Sequence, residues 1–341
     1  MNEPLPASAL TDRWRRTISY LRISITDRCN YACAYCMPAT GYEAGDRDEL
    51  LTFEEMVRLV EVMAELGVRR VRVTGGEPLV RKGVVDLIAA LAAVPGIQQV
   101  ALTTNGHLLD RLAEPLWNAG LRGLNVSIDT FDPARFADIT RGGDLVRVLA
   151  GLMAAEAVGF ADIRINAVAV KGVNDHEFAD FADRCWRNGW LPRFIELMPV
   201  GGLDFQAASR RVPTETILAA LARRFVLRSE GRLRDGLPRG PADYHEVTQG
   251  PHAGRRVGII SPMSDDGFCA ACNRARLTAR GGLRACLADD SEVSMLQALR
   301  SGASRDALVA LIEEAVYGKR PAHRMREALT VPLTVMTGIG G

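Results

Sequence analysis

Cys29, Cys33 and Cys36 follow one another with the spacing C-x3-C-x2-C. Thiols this close along a chain can converge on one inorganic centre. Three thiolates can hold a [4Fe–4S] cube and leave one iron open to a non-protein ligand carrying amino and carboxylate groups; the reduced cube can then pass on an electron. The alternative is structural zinc, which closes its shell with four ligands, usually from C-x2-C pairs. No fourth Cys or His lies near this group. Gly75-Gly76-Glu77-Pro78 ends a later β-branched run. A glycine pair there lets backbone approach a ligand closely, although alone it would read as an ordinary turn.

A second group, Cys269, Cys272 and Cys286, again offers three thiols rather than four. A zinc ribbon is a stronger alternative here, because C-x2-C is its usual half and Asp265, Asp266 or His252 could complete the shell. The favoured reading is a second cluster with one open iron, able to bind substrate. Arg274 and Arg276 lie between its ligands and could hold an anion beside it. The seventh cysteine, Cys185, has a helical context and reads as an inert core thiol.

Elements must position these groups. β-Branched runs at Thr17–Thr26, Arg69–Thr74, Gln98–Thr104, Gly123–Asp129, Asp162–Val170 and Arg193–Met198 alternate with helical segments such as Thr52–Leu66, Lys82–Ala93, Gly106–Ala119 and Asp144–Val158. Thr52 and Glu55 read as a capping box. Alternating strands and helices imply a parallel sheet, and six units predict an incomplete (β/α)6 TIM-like barrel of the α/β class. Strand period two gives each strand an apolar face and a polar one. The polar series is Arg22, Ser24 and Thr26; Arg70, Arg72 and Thr74; Thr103 and Asn105; Asn125 and Ser127; Arg164 and Asn166. An arginine-bearing lumen is costly as mere core, so it reads as a binding cavity. In the sixth strand Arg193 falls out of step with Glu196 and Met198. Any single arginine could instead be an ion-paired structural residue, with Glu77 or Glu196 as partner. Past Val226 the pattern becomes irregular. The expected division is a barrel at 1–225, with an N-terminal extension at 1–16, and a smaller C-terminal domain at 226–341 carrying the second cysteine group.

The balance of 42 basic and 41 acidic residues leaves a net charge of +1, which gives no general attraction to nucleic acid or an anionic membrane. Only Lys82, Lys171 and Lys319 are lysines. No run is apolar enough for a signal peptide or a membrane span, so a cytoplasmic location is expected, where structural disulfides are rare.

The first cysteine group, followed by Gly75-Gly76-Glu77-Pro78, resembles the radical SAM superfamily, whose clusters cleave S-adenosylmethionine (SAM) to a 5′-deoxyadenosyl radical. From Tyr20 to Gly341 the chain further resembles the GTP 3′,8-cyclases of molybdopterin (molybdenum cofactor) biosynthesis. The likeness rests on Leu21-Arg22-Ile23-Ser24-Ile25-Thr26-Asp27-Arg28-Cys29-Asn30, Thr103-Thr104-Asn105-Gly106, Asn125-Val126-Ser127-Ile128-Asp129, Ile139-Thr140-Arg141-Gly142-Gly143, Lys171-Gly172-Val173-Asn174-Asp175, Phe194-Ile195-Glu196-Leu197-Met198, Cys272-Asn273-Arg274-Ala275-Arg276-Leu277 and the terminal Gly340-Gly341. The resemblance implies two [4Fe–4S] clusters and SAM held by Tyr35, Gly76, Ser127 and Met198. It implies GTP met by Arg22, Arg72, Thr103, Arg164, Arg193, Arg274, Ala275 and Arg276, with the guanine on the second cluster's open iron. Arg274, Arg276 and the Gly340-Gly341 tail would serve catalysis, the tail becoming ordered with substrate. At Arg164 the family more usually has lysine, and a guanidinium meets phosphate with different geometry. The implied partners are a reductant such as a flavodoxin system and a downstream cyclic pyranopterin monophosphate synthase; a homodimer is compatible with the family. A peptide-modifying radical enzyme and a non-catalytic zinc or iron–sulfur module are the competing readings.

Overall fold

The computed structural model describes residues 9–37, 46–200, 208–234, 237–238, 240–325 and 336–340. Six parallel strands form its centre: β1 (Tyr20–Ser24), β2 (Arg70–Thr74), β3 (Gln99–Thr104), β4 (Gly123–Ser127), β5 (Ile163–Ala169) and β6 (Leu191–Glu196), each hydrogen-bonded to the next in chain order. Between them run α1 (Phe53–Glu65), α2 (Val84–Ala93), α3 (Leu109–Asn118), α4 (Pro133–Thr140), α5 (Leu145–Ala157) and α6 (Phe178–Arg187). This is the expected partial (β/α)6 barrel, with two helices rather than one between β4 and β5. The capping box at α1 forms: the Glu55 amide donates to Thr52 Oγ1 at 3.2 Å and the Thr52 amide to Glu55 Oε2 at 2.8 Å.

Alternation sorts the strand side chains as read from sequence. Leu21, Ile23, Val71, Val73, Leu102, Leu124, Val126, Ile163 and Ile165 are fully buried in one continuous apolar core. β6 begins two residues earlier than expected, and its parity resolves the misfit of Arg193. Phe194 packs edge-on against Phe178 of α6, so Arg193 points the other way, towards Asn125 and Asn166. Glu196 shares the parity of Phe194.

The C-terminal third adds strands to this sheet. After α7 (Thr214–Ala222) come β7 (Leu227–Gly231), a ribbon of β8 (Leu233–Arg234) and β9 (Leu237–Pro238), β10 (Asp243–Val247), β11 (Arg256–Ile260), β12 (Arg274–Leu277), β13 (Gly282–Arg284) and β14 (Val293–Ser294). β11 adds parallel to β6 and carries β10 and β7; β12 adds parallel to β1 and carries β13 and β14. Both barrel edges are thereby extended into one twelve-stranded sheet. Helices α8 (Met295–Arg300), α9 (Arg305–Tyr317) and α10 (Met336–Ile339) complete the chain. Among the described residues no helix is long and apolar enough to cross a membrane.

Candidate active site

Cys29, Cys33 and Cys36 lie in the loop after β1, half-buried and outside any disulfide. The Tyr31 amide donates to Cys29 Sγ at 3.4 Å, and the Cys36 amide to the Cys33 carbonyl at 2.9 Å, which folds the loop back on itself. Cys33 feels the charge of both companions. Burial pushes Cys29 up to about 11, Cys36 to about 12 and Cys33 well above the ordinary thiol range. These thiols keep their protons until a metal centre displaces them. A cavity of about 390 Å³ beside them is lined in part by Asp27, Asn30 and Arg141.

Gly75 and Gly76 also let two loops pack closely. A Cβ on Gly76 would lie 2.3 Å from the Arg28 carbonyl oxygen, and one on Gly75 (φ +155°) would lie 2.6 Å from that of Thr26. The pair brings the loop after β2 against the cysteine loop, where the Gly76 and Glu77 amides donate to Thr26 and Arg28 carbonyls at 2.7 and 2.8 Å. Glu77 then ties in a third loop, accepting from the Thr104 hydroxyl and the Asn105 amide, each at 2.7 Å. Burial outweighs those bonds and raises its carboxyl to about 7.

The second group converges because β12 and β13 pair antiparallel, Arg276 opposite Arg284, which returns Cys286 towards Cys272. Here the electrostatics differ. Burial would raise Cys272, but Arg274 (whose side chain donates to it) and Lys319 outweigh burial and bring it down to about 6. Two of the residues considered as completing a zinc shell are engaged elsewhere: His252 Nε2 meets Asp183 Oδ1 at 2.8 Å, and Asp265 pairs with Arg232. Among the described residues no three His, Cys, Asp or Glu side chains converge on a single-ion site. Both donor sets fit the three-thiolate chemistry of a multi-iron cube, which spreads its ligands over separate irons.

Between the two groups lies the arginine lumen. Sheet register places Arg276, Arg22 and Arg72 side by side on β12, β1 and β2, and Arg274 beside Tyr20 one step below. Like charges directly opposed across strands repel. Burial first, and then the cations of Arg276 and Arg72, drive Arg22 well below an ordinary guanidinium; burial and Arg274 lower Arg276 to about 10. Arg72 bonds the Tyr20 hydroxyl and donates to Thr103 Oγ1 at 3.2 Å. Arg193 donates to Asn166 Oδ1 at 2.9 Å and Asn125 Oδ1 at 2.7 Å, and burial lowers it to about 10. Neither acid expected as a structural partner is one. Glu77 is spent on loop amides, and Glu196 accepts from the Thr214, Met263 and Ser264 amides at 2.8–2.9 Å.

Other sequence-derived residues divide. Tyr35 donates to Asp129 Oδ2 at 2.7 Å, and Asp129 Oδ1 accepts from the Val168 amide at 2.8 Å, so the tyrosine is fixed to the ends of β4 and β5. Ser127 ends β4, half-buried, and Met198 lies half-buried beyond β6. Gly340 enters the lumen: its carbonyl accepts from Arg276 Nη1 at 2.5 Å, and a Cβ would meet Thr74 Cγ2 at 2.7 Å. Its neighbour Ile339 is buried against Val200, Met263 and Met325. Gly341 lies outside the described residues. Arg164 is held by Asp162, with Nε donating to Oδ1 at 2.9 Å, so an anion would have to compete with that carboxylate. Ala275 could meet a ligand through its backbone alone. Strand alternation turns its side chain away from Arg274 and Arg276 into the apolar core, fully buried. Sequence reasoning missed Tyr20, Asp129 and Tyr244, the last a partner of Arg193. Tyr20 shares the parity of Arg22 and was legible; Tyr244 reaches the lumen only through non-local strand pairing.

Residues 23–185 match the Radical SAM superfamily, and residues 192–325 match Molybdenum Cofactor Synthesis C. A GTP 3′,8-cyclase of Syntrophomonas wolfei is 43% identical over 93% of this chain and 95% of its own length. One of Moorella thermoacetica is 42% identical over 97% of this chain and the whole of its own. Among solved structures, Streptococcus suis SuiB bound to precursor peptide SuiA aligns with a TM-score of 0.62 at 14% identity, covering 91% of this chain and 67% of that one, a likeness of fold alone. With near-complete matches at this identity, the chain belongs to the GTP 3′,8-cyclase family of the radical SAM superfamily.

Proposed function

We propose that this protein is a GTP 3′,8-cyclase, joining C3′ of the GTP ribose to C8 of its guanine in the first step of molybdenum cofactor biosynthesis. The observation that carries the reading is the Arg276–Arg22–Arg72 rung. Two buried guanidinium groups flanking a half-buried one at strand spacing favour an anion, and a triphosphate offers oxygens that guanidinium forks match in pairs. Arg193, oriented by Asn125 and Asn166, extends the same surface across the lumen.

Cys29, Cys33 and Cys36 would hold one [4Fe–4S] cluster, which when bound supplies the electron that cleaves SAM. Tyr35, fixed by Asp129, would flank its adenosine, with Gly76, Ser127 and Met198 as further contacts. Cys269, Cys272 and Cys286 would hold the second cluster and present guanine to it, with Arg274 beside Cys272. The bond from Arg276 to the Gly340 carbonyl supports a tail that would reach the bound nucleotide. These residues bind, orient and exclude water, so that the hydrogen taken from C3′ leaves a carbon facing C8. A flavodoxin-type reductant, a cytoplasmic setting and a synthase that consumes the product follow from this reaction's needs.

The test is anaerobic reconstitution followed by incubation with GTP, SAM and dithionite. About eight iron atoms per chain are expected from two cubes, together with 5′-deoxyadenosine and a 3′,8-cyclised nucleotide by mass analysis. Stoichiometric zinc without iron, or 5′-deoxyadenosine with GTP unchanged, overturns the reading.

A further inference from the structure

Lys319, one of only three lysines in the chain, follows α9 and is 3% exposed. Its Nζ donates to the carbonyl oxygens of Arg274 at 2.5 Å and Ala285 at 2.7 Å. Those carbonyls lie two residues after Cys272 and one before Cys286. Among the described residues no carboxylate pairs with this ammonium. A buried cation without a counter-charge is costly, and such groups are normally paired. Both acceptors lie on the spans that carry Cys272 and Cys286, so the ammonium is fixed beside whatever those thiols hold.

A second buried cation braces the same loop. Arg16 is oriented by Asp12, whose Oδ2 accepts from Nε at 2.6 Å, and it donates through Nη1 to the carbonyls of Cys269 and Pro321, both at 2.9 Å. The indole of Trp14 donates to the Lys319 carbonyl at 3.0 Å. Residues 12–16 and the turn after α9 thus clamp the span that carries the second thiol group.

We propose that Lys319 is a positioning residue for the auxiliary iron–sulfur cluster: its ammonium is the counter-cation to the cluster's net negative charge, and its two carbonyl bonds fix the spans bearing Cys272 and Cys286. This rests on the reading of Cys269, Cys272 and Cys286 as cluster ligands. Removing the cation disfavours the reduced, more negative cluster and lowers its potential.

The test begins with a Cys29→Ala, Cys33→Ala, Cys36→Ala background, where any iron must sit on the second group. Absence of iron there overturns the underlying cluster reading before Lys319 is altered. In the loaded background, Lys319→Met should shift the ratio of reduced to oxidised cluster at fixed potential by about tenfold towards oxidised, read by EPR, a size fitting one nearby charge in a partly screened interior. Lys319→Arg should retain most of the parent ratio. Thermal unfolding supplies a second readout. Lys319→Met should lower the melting temperature of the loaded chain more than that of a chain with Cys269→Ala, Cys272→Ala and Cys286→Ala, where removing a charge without a counter-ion offsets the lost carbonyl bonds. If Lys319→Met takes up no iron, retention of iron by Lys319→Arg supports the proposal and failure of both overturns it. An unchanged redox ratio, or an equal melting loss in both backgrounds, also overturns it.

Discussion

At the residue scale the lumen sets cations on neighbouring strands. Arg22 sits between Arg276 and Arg72 on paired strands, so its charge is a cost to the ligand-free chain and a benefit once an anion arrives. Arg22→Met should therefore raise the urea midpoint of the ligand-free protein while weakening GTP binding at least about tenfold, close to 1.4 kcal/mol. Equilibrium dialysis with labelled GTP checks the second half. A variant that loses stability and keeps its affinity would show that Arg22 serves the fold instead. Tyr20 belongs to the same account: Arg72 and Arg22 more than offset burial and lower its hydroxyl, so it shares their field.

Loops, at the scale of elements, are zipped to one another rather than resting on the barrel singly. The loops after β1, β2 and β3 meet through Gly76, Glu77 and Asn105. Asn174 then knots those after β4 and β5, donating to the Asp129 and Val168 carbonyls at 2.8 and 2.9 Å. Gly76→Ala tests the zip. Its Cβ has backbone in the way at 2.3 Å, so the cysteine loop must move, costing about 2 kcal/mol or more. Iron in the reconstituted chain should fall from about eight to about four atoms, the second group remaining loaded. Equal loss from both groups would mean that the loop's role is global folding.

Across the whole molecule, the strands following the expected boundary at residue 225 complete both edges of the barrel sheet. β12 supplies the edge of β1 and two lumen arginines; β11 supplies the edge of β6. An uncovered β1 or β6 would leave a row of unpaired backbone groups. The apolar core is likewise continuous from Leu10 to Val316. Calorimetry of the intact chain should give a single cooperative transition, and residues 1–225 expressed alone should aggregate. Two separated transitions would show that the C-terminal domain folds independently.

What the sequence by itself determined is what short-range chemistry encodes. Thiol spacing named the two cysteine groups, and period two put Arg22, Arg72 and Thr103 on one face because successive side chains must alternate. The same rule also gave Arg193 an apparent misfit, since its parity depends on where β6 starts, and it turns the Ala275 side chain out of the lumen. Tertiary structure alone decided what lies next to what. That β12 lines up beside β1, so that Arg276 and Arg22 share a rung, depends on pairing between segments far apart in the chain. So does the place of Lys319, whose acceptors stand 45 and 34 residues away. A lone lysine after a helix carries no local signature, and its meaning comes only from the carbonyls and thiols that folding packs around it.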